Sequence, residues 1–265
     1  MKKLTILLMA FTVIIMTSCT QTGNPLPSDT PQLDYLQLQI FSYDSTDQEM
    51  VLDAHFRDAL IPALHRAGIE NIGVFKPIAG LNENTNYTIV ITPFRSLNQF
   101  EELPALLEKD SLYQKADLAY IDAPFDHPPF TRIESMIMRS FRTTPLLVTP
   151  KLTSPRPERV YELRSYQSAT EKLYNRKVEM FNEGEVAIFQ DLEFNPVFFA
   201  EVLSSSHMPH LVYMTAHADT TAQKKNWDAF GLHPEWDRMK NLERYQNTVS
   251  HIDRYLLYPT DYSDY

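Results

Sequence analysis

VYELRSY at 160–166 has an earlier counterpart, YLQLQIF at 35–41, and this recurrence decides the fold. Leu163 pairs with Leu38, Phe199 in VFFAEV with Phe75 in GVFKPI, and five further positions return at one spacing of 123 residues: Thr92, Ser96, Leu107, Asp110 and Tyr113 as Thr215, Asp219, Phe230, His233 and Trp236. Self-similarity of this kind marks a repeated structural unit. Residues 33–41 and 159–166 alternate and carry aromatics, as half-buried strands do, while 48–67 and 169–192 keep a helical apolar spacing. Each half reads as strand, long helix, strand, strand, shorter helices, strand.

Local chemistry supports that order. Ser96 and Asp219 stand just before helical patterns, where a side-chain oxygen accepts from an otherwise unpaired amide. Pro234 fits the first turn of a further short helix, with His233 as its start residue in the place of Asp110. Trp227 and Phe230, three apart on a helix, share a face and read with Trp236 as core. The halves meet at TPKLTSPRPER, 149–159, whose prolines continue neither a helix nor an inner strand. A strand-helix-strand unit used twice is a ferredoxin-like fold, an open sheet with one face bare of helices. Two such units cover each other's bare face. The expected class is therefore α+β, two tandem ferredoxin-like (βαββαβ) units packed as one barrel, spanning 32–150 and 151–265.

The second half resembles the NIPSNAP family of the dimeric α/β-barrel superfamily, through VYELRSY, MFNEG (180–184), NPVFFAEVL (195–203), MPHLVYMTAH (208–217) and WDAFGLHPEW (227–236). The first half is similar to a diverged copy, in AGIENIGVF (67–75) and YTIVITPFRSLNQF (87–100). The resemblance implies an intrachain dimeric α/β barrel. It implies little chemistry, because the organelle and vesicle roles attributed to eukaryotic members do not carry over to an exported bacterial protein.

Export is read from the start of the chain. Lys2 and Lys3 precede an apolar run at 4–16, too short to span a bilayer, and then Thr17, Ser18 and the single cysteine, Cys19. This pattern, residues 1–18 as a signal peptide and Cys19 as the lipidation site, resembles that of a bacterial lipoprotein. Residues 19–31, with Gly23, Pro25, Pro27 and Pro31, form a flexible tether. The expected location is the cell envelope, lipid-anchored at the outer membrane and facing the periplasm or the cell surface. No cysteine is left for an internal disulfide, so the core alone holds the fold. Loss of Lys2 and Lys3 takes the formal charge from -10 to -12, which argues against a nucleic-acid partner.

Alternation places candidate site residues. Tyr161, Leu163 and Ser165 are expected toward the helices, with Glu162, Arg164 and Tyr166 toward the barrel interior. Tyr213 and His217 join them there, with Val212, Met214 and Ala216 turned to the helices, and Glu201 is a further candidate. The set reads either as a polar network that fixes the packing of the two sheets or as a pocket. Glu162 and Arg164 align with Gln37 and Gln39, so any charged site exists once.

His207 and His210 share the SSSHMPH loop and invite a metal reading, but no acidic or cysteine partner stands at ligand spacing. His210 and His217, seven apart on one strand, face opposite ways. No cofactor motif, nucleophile elbow or phosphate loop occurs, and six glycines leave few places for backbone to cradle phosphate. Three functions follow as expectations. The first is a membrane-tethered binding or scaffold protein with a small apolar ligand or a protein partner, self-association included. The second is a cofactor-independent oxygenase or isomerase using His217 or Glu162 as proton acceptor. The third is a haem or metal carrier.

Overall fold

Eight strands close into a barrel in the order β1-β3-β2-β8-β5-β7-β6-β4 in the computed structural model, which describes residues 32–116, 118–144 and 146–265. The signal segment, Cys19 and the tether to residue 31 lie outside the described residues. The first half supplies β1 (Tyr35–Ser42), β2 (Gly73–Pro77), β3 (Tyr87–Phe94) and β4 (Arg132–Ser140). The second supplies β5 (Val160–Gln167), β6 (Pro196–Ser204), β7 (His210–His217) and β8 (His251–Pro259). Within each half the spatial order is fourth, first, third, second, that of a ferredoxin-like unit. The halves join edge to edge, β2 to β8 and β4 to β6, so neither sheet leaves an unpaired edge. Because every pairing is antiparallel, β1, β2, β5 and β6 run one way and β3, β4, β7 and β8 the other.

The duplicated positions hold at the backbone. Leu38 pairs with Ile91 on β3, as Leu163 pairs with Met214 on β7. Ser96 caps α3 (Leu97–Lys109) by accepting from the Gln99 amide, and Asp219 caps α8 (Thr220–Leu232) by accepting from Ala222. Asp110 Oδ1 accepts from the Leu112 and Tyr113 amides at the start of α4 (Ser111–Ala116), which α5 (Leu118–Ile121) follows. His233 does the same for Glu235 in α9 (Pro234–Lys240). The pairing of Phe75 with Phe199 fails. Phe75 lies inside the barrel, whereas Phe199 faces the helices. A register shift in β6 between Pro196 and Phe198 turns two consecutive residues, Val197 and Phe198, inward and moves the pleat by one.

Each long helix is continuous but carries a π-helical turn at its centre. α1 (Thr46–Ala54) reaches α2 (Ile61–Arg66) through His55–Leu60, and α6 (Glu171–Met180) reaches α7 (Val186–Asp191) through Phe181–Glu185. The wider turn buries Phe56 in one half and Phe181 in the other, both fully. These aromatics anchor the helices to the outer face of the sheet, in clusters separate from the barrel interior.

The barrel interior is apolar. Leu36, Leu38, Ile89, Ile91, Met138, Leu163, Val212 and Met214 fill its middle. One end is closed by aromatic contacts among Phe75, Tyr161 and Tyr265, with centroids 4.9 to 5.9 Å apart.

Candidate functional site

Glu162, Arg164, Tyr166, Tyr213 and His217 sit on the outer face of the sheet beneath the second half's helices, not inside the barrel as expected. Tyr161, Leu163, Val212, Met214 and Ala216 take the interior instead. The reason is that β5 and β7 are buried on both faces: all eight residues of β7 are buried, so polarity contrast carries no sidedness. Partners decide it. The middle of the interior offers mainly apolar side chains, whereas the helices bring donors and acceptors that a buried charge requires.

Those partners are specific. Glu162, fully buried, accepts from Arg164 Nε at 2.7 Å, Gln223 Nε2 at 2.7 Å and Trp227 Nε1 at 2.6 Å. Arg164 lies 3.8 Å over the Trp227 ring and donates to the Tyr166 hydroxyl, which is 2.9 Å from that of Tyr213. Burial works against the guanidinium charge, but Tyr213, Tyr166 and Glu162 outweigh it and raise its pKa. Beside this chain a second buried pair spans the π turn: Lys177 Nζ donates to Glu185 at 2.7 Å and lies 4.7 Å from the Phe181 ring centroid. Burial raises the Glu185 pKa, offset in part by Lys177.

The charges thus close in pairs, with each group in contact with its partners. The network packs helices against one sheet rather than one sheet against another. Glu201 stands apart, half-buried, with Arg139 and the Tyr174 hydroxyl each 3.4 Å away. His217 borders a separate outer groove with Gln190, Lys225 and Asn226, and burial pushes its pKa down to about 4.

A cavity lies at the barrel mouth, opposite the aromatic end. It measures about 320 Å³, and Leu38, Ile40, Met136, Leu163 and Val212 form its apolar part. Its polar part includes Glu134, Ser165, Ser205, His210, His251 and Asp253, with Tyr255 beside them. None of the six residues expected to form a pocket lines it. His210, 2 % exposed, is held between Ser165 Oγ at Nδ1, 2.8 Å, and Ser205 Oγ at Nε2, 2.7 Å. Burial lowers its pKa to about 4, with His207 adding to the effect. Asp253 bonds Gln167 and His251, each at 3.0 Å.

His207 is exposed, 3.2 Å from the Ser206 hydroxyl, and does not share a ligand geometry with His210. Among the described residues no group of three or more His, Cys, Asp or Glu is placed to hold a metal. One sequence signal for the mouth was Ser165, a polar residue in an otherwise apolar set. His251 and Asp253 had no counterpart motif to point to them.

Residues 161–264 match the NIPSNAP family model. This half is a NIPSNAP domain. The whole barrel is similar to that of a Lactobacillus acidophilus protein provisionally described as a monooxygenase, at 10% identity and a TM-score of 0.56, covering 86% of this chain and 94% of that one. A Fusobacterium nucleatum protein with the same description matches at 7% identity and a TM-score of 0.55, over 86% and 92%. A NIPSNAP-like domain protein from Burkholderia xenovorans aligns with 40% of this chain and 89% of its own, at 14% identity and a TM-score of 0.36. No curated protein matches. The NIPSNAP domain supplies the histidines and most of the serines of the mouth, and the first half completes the wall with Leu38, Ile40, Glu134, Ser135 and Met136.

Proposed function

We propose that this chain is a membrane-tethered binding protein whose barrel mouth takes up a small, mainly apolar molecule with a polar end. The mouth cavity carries the reading: about 320 Å³, at the small end for ligand pockets, apolar toward the barrel core and polar at Ser165, His210 and Asp253. The tether rests on the sequence alone, on the lipoprotein-like segment ending at Cys19. An outer-membrane anchor would hold the mouth where lipid-derived or diffusing apolar compounds are met.

The test uses the full chain and N-phenyl-1-naphthylamine, a neutral apolar dye that brightens out of water. Uptake is expected, and Met136→Trp, which fills the mouth, is expected to remove it. Dye fluorescence that Met136→Trp leaves unchanged would sink the reading. Mass spectrometry of the first residue of the mature protein tests the anchor, an acylated Cys19 supporting it and a free thiol refuting it.

The oxygenase or isomerase reading comes second. The neighbours described as monooxygenases share this barrel, which is a likeness of fold and not of chemistry. Such an enzyme would have to work with mouth residues, because Glu162 and His217 lie outside the barrel wall.

A further inference from the structure

We infer that Ser205 is an activated nucleophile for acyl transfer from small esters, with His210 as its proton acceptor and Ser165 as the residue that orients His210. The inference rests on the mouth being a binding cavity and adds a reaction to it. Three side chains stand in series along the wall. Ser165 Oγ lies 2.8 Å from His210 Nδ1, and His210 Nε2 lies 2.7 Å from Ser205 Oγ. Ser205 is the most exposed of the three: Ser165 and His210 are buried, Ser205 is half-buried, and all three line the cavity. A nucleophile at the open end, a buried base behind it and an orienting group on the base's other ring nitrogen is the arrangement that covalent catalysis by serine needs.

Hydrogen-bond bookkeeping assigns the protons. The His207 amide donates to Ser205 Oγ at 3.1 Å, which occupies one lone pair of that oxygen. We assign the Ser205 hydroxyl proton to the line toward His210 Nε2, and the His210 Nδ1 proton to the line toward Ser165 Oγ. The imidazole is neutral, a weaker base than a free one because burial lowers its pKa to about 4, and its free electron pair faces the nucleophile.

The step balances without a redox partner. Ser205 Oγ bonds to the ester carbonyl carbon as its proton passes to His210 Nε2. The bond to the leaving alcohol then breaks, and Nε2 returns that proton to the departing oxygen. Water repeats the sequence on acyl-Ser205 and releases the acid. The apolar wall of Leu38, Ile40, Met136, Leu163 and Val212 suits a short hydrocarbon acyl group. Ser165 offers no negative charge behind the imidazolium, and Asp253 bonds to His251 and Gln167 instead, so activated esters and organophosphorus reagents are the expected reactants.

The full chain is treated with an alkyl fluorophosphonate, and the adduct is located by peptide mass spectrometry. A single adduct on Ser205 is expected, absent in Ser205→Ala and formed about 100-fold more slowly or less in His210→Gln. Ser165→Ala slows labelling, and Ser165→Thr restores it at unchanged melting temperature. Absence of a Ser205 adduct overturns the inference, as does an equal labelling rate in His210→Gln. Dye uptake by Ser205→Ala separates the two readings, since binding without labelling leaves the cavity's function standing and removes only the reaction.

Discussion

Acidification should destabilise this protein through two buried histidines, by an amount that the structure bounds. His210 and His217 are 2% and 1% exposed, and burial lowers both from 6.5 to about 4. The unfolded chain therefore takes up these protons as pH falls through 6.5, whereas the folded chain resists until about 4. Between those values the unfolded state binds more protons, so stability falls as pH is lowered. Above 6.5 neither state is protonated at these sites and the contribution is flat.

Each shift corresponds to roughly 3 kcal/mol, and the pair to about 6, against a total of about 5–15 for a typical domain. Glu185 acts with the opposite sign. Its raised pKa gives stability below the ordinary carboxylate value that is lost as pH rises through the folded value, and so it subtracts from the slope where the windows overlap. The comparison is therefore between the parent and the His210→Gln, His217→Gln double variant, by urea denaturation from about pH 7.5 down to about 4. The parent should lose stability steeply across this window and the double variant much less. A double variant with the parent's full slope would show that these rings are not the buried neutral groups described here.

Further outcomes follow from single contacts. Glu162→Ala strands a buried guanidinium and two donors, and should cost about 3–5 kcal/mol in chemical denaturation. The Glu162→Leu, Arg164→Met double variant should cost less than that single change, because no unpaired charge remains. Asp219→Ala removes the α8 cap and should cost about 1 kcal/mol with the barrel intact. Phe75→Ala empties the aromatic end of the barrel and should cost about 3–5 kcal/mol, read as a lowered urea midpoint.

The candidate site was legible only in part, and its residues show why. Ser96 with Asp219 and Asp110 with His233 were readable because a cap is a local bond between neighbours in the chain. The chain from Glu162 through Arg164, Tyr166 and Tyr213 was readable as a polar group, but not its side of the sheet. The partners that fix that side, Gln223 and Trp227, lie 61 and 65 residues away. The π turns leave no mark in the sequence because they keep the helical apolar spacing and differ only in how the backbone closes.

By itself the sequence determined the duplication, the order of elements in each half, the helix starts and the NIPSNAP resemblance, all of which rest on pattern and local chemistry. Tertiary structure alone decided which face of each strand lines the barrel, where β6 shifts register, and that His210 meets Ser165 across 45 residues. The physical reason is burial on both faces. A strand with water on one side announces its orientation through polarity, whereas β5 and β7 have protein on both sides, and only the partners brought by folding distinguish inside from outside.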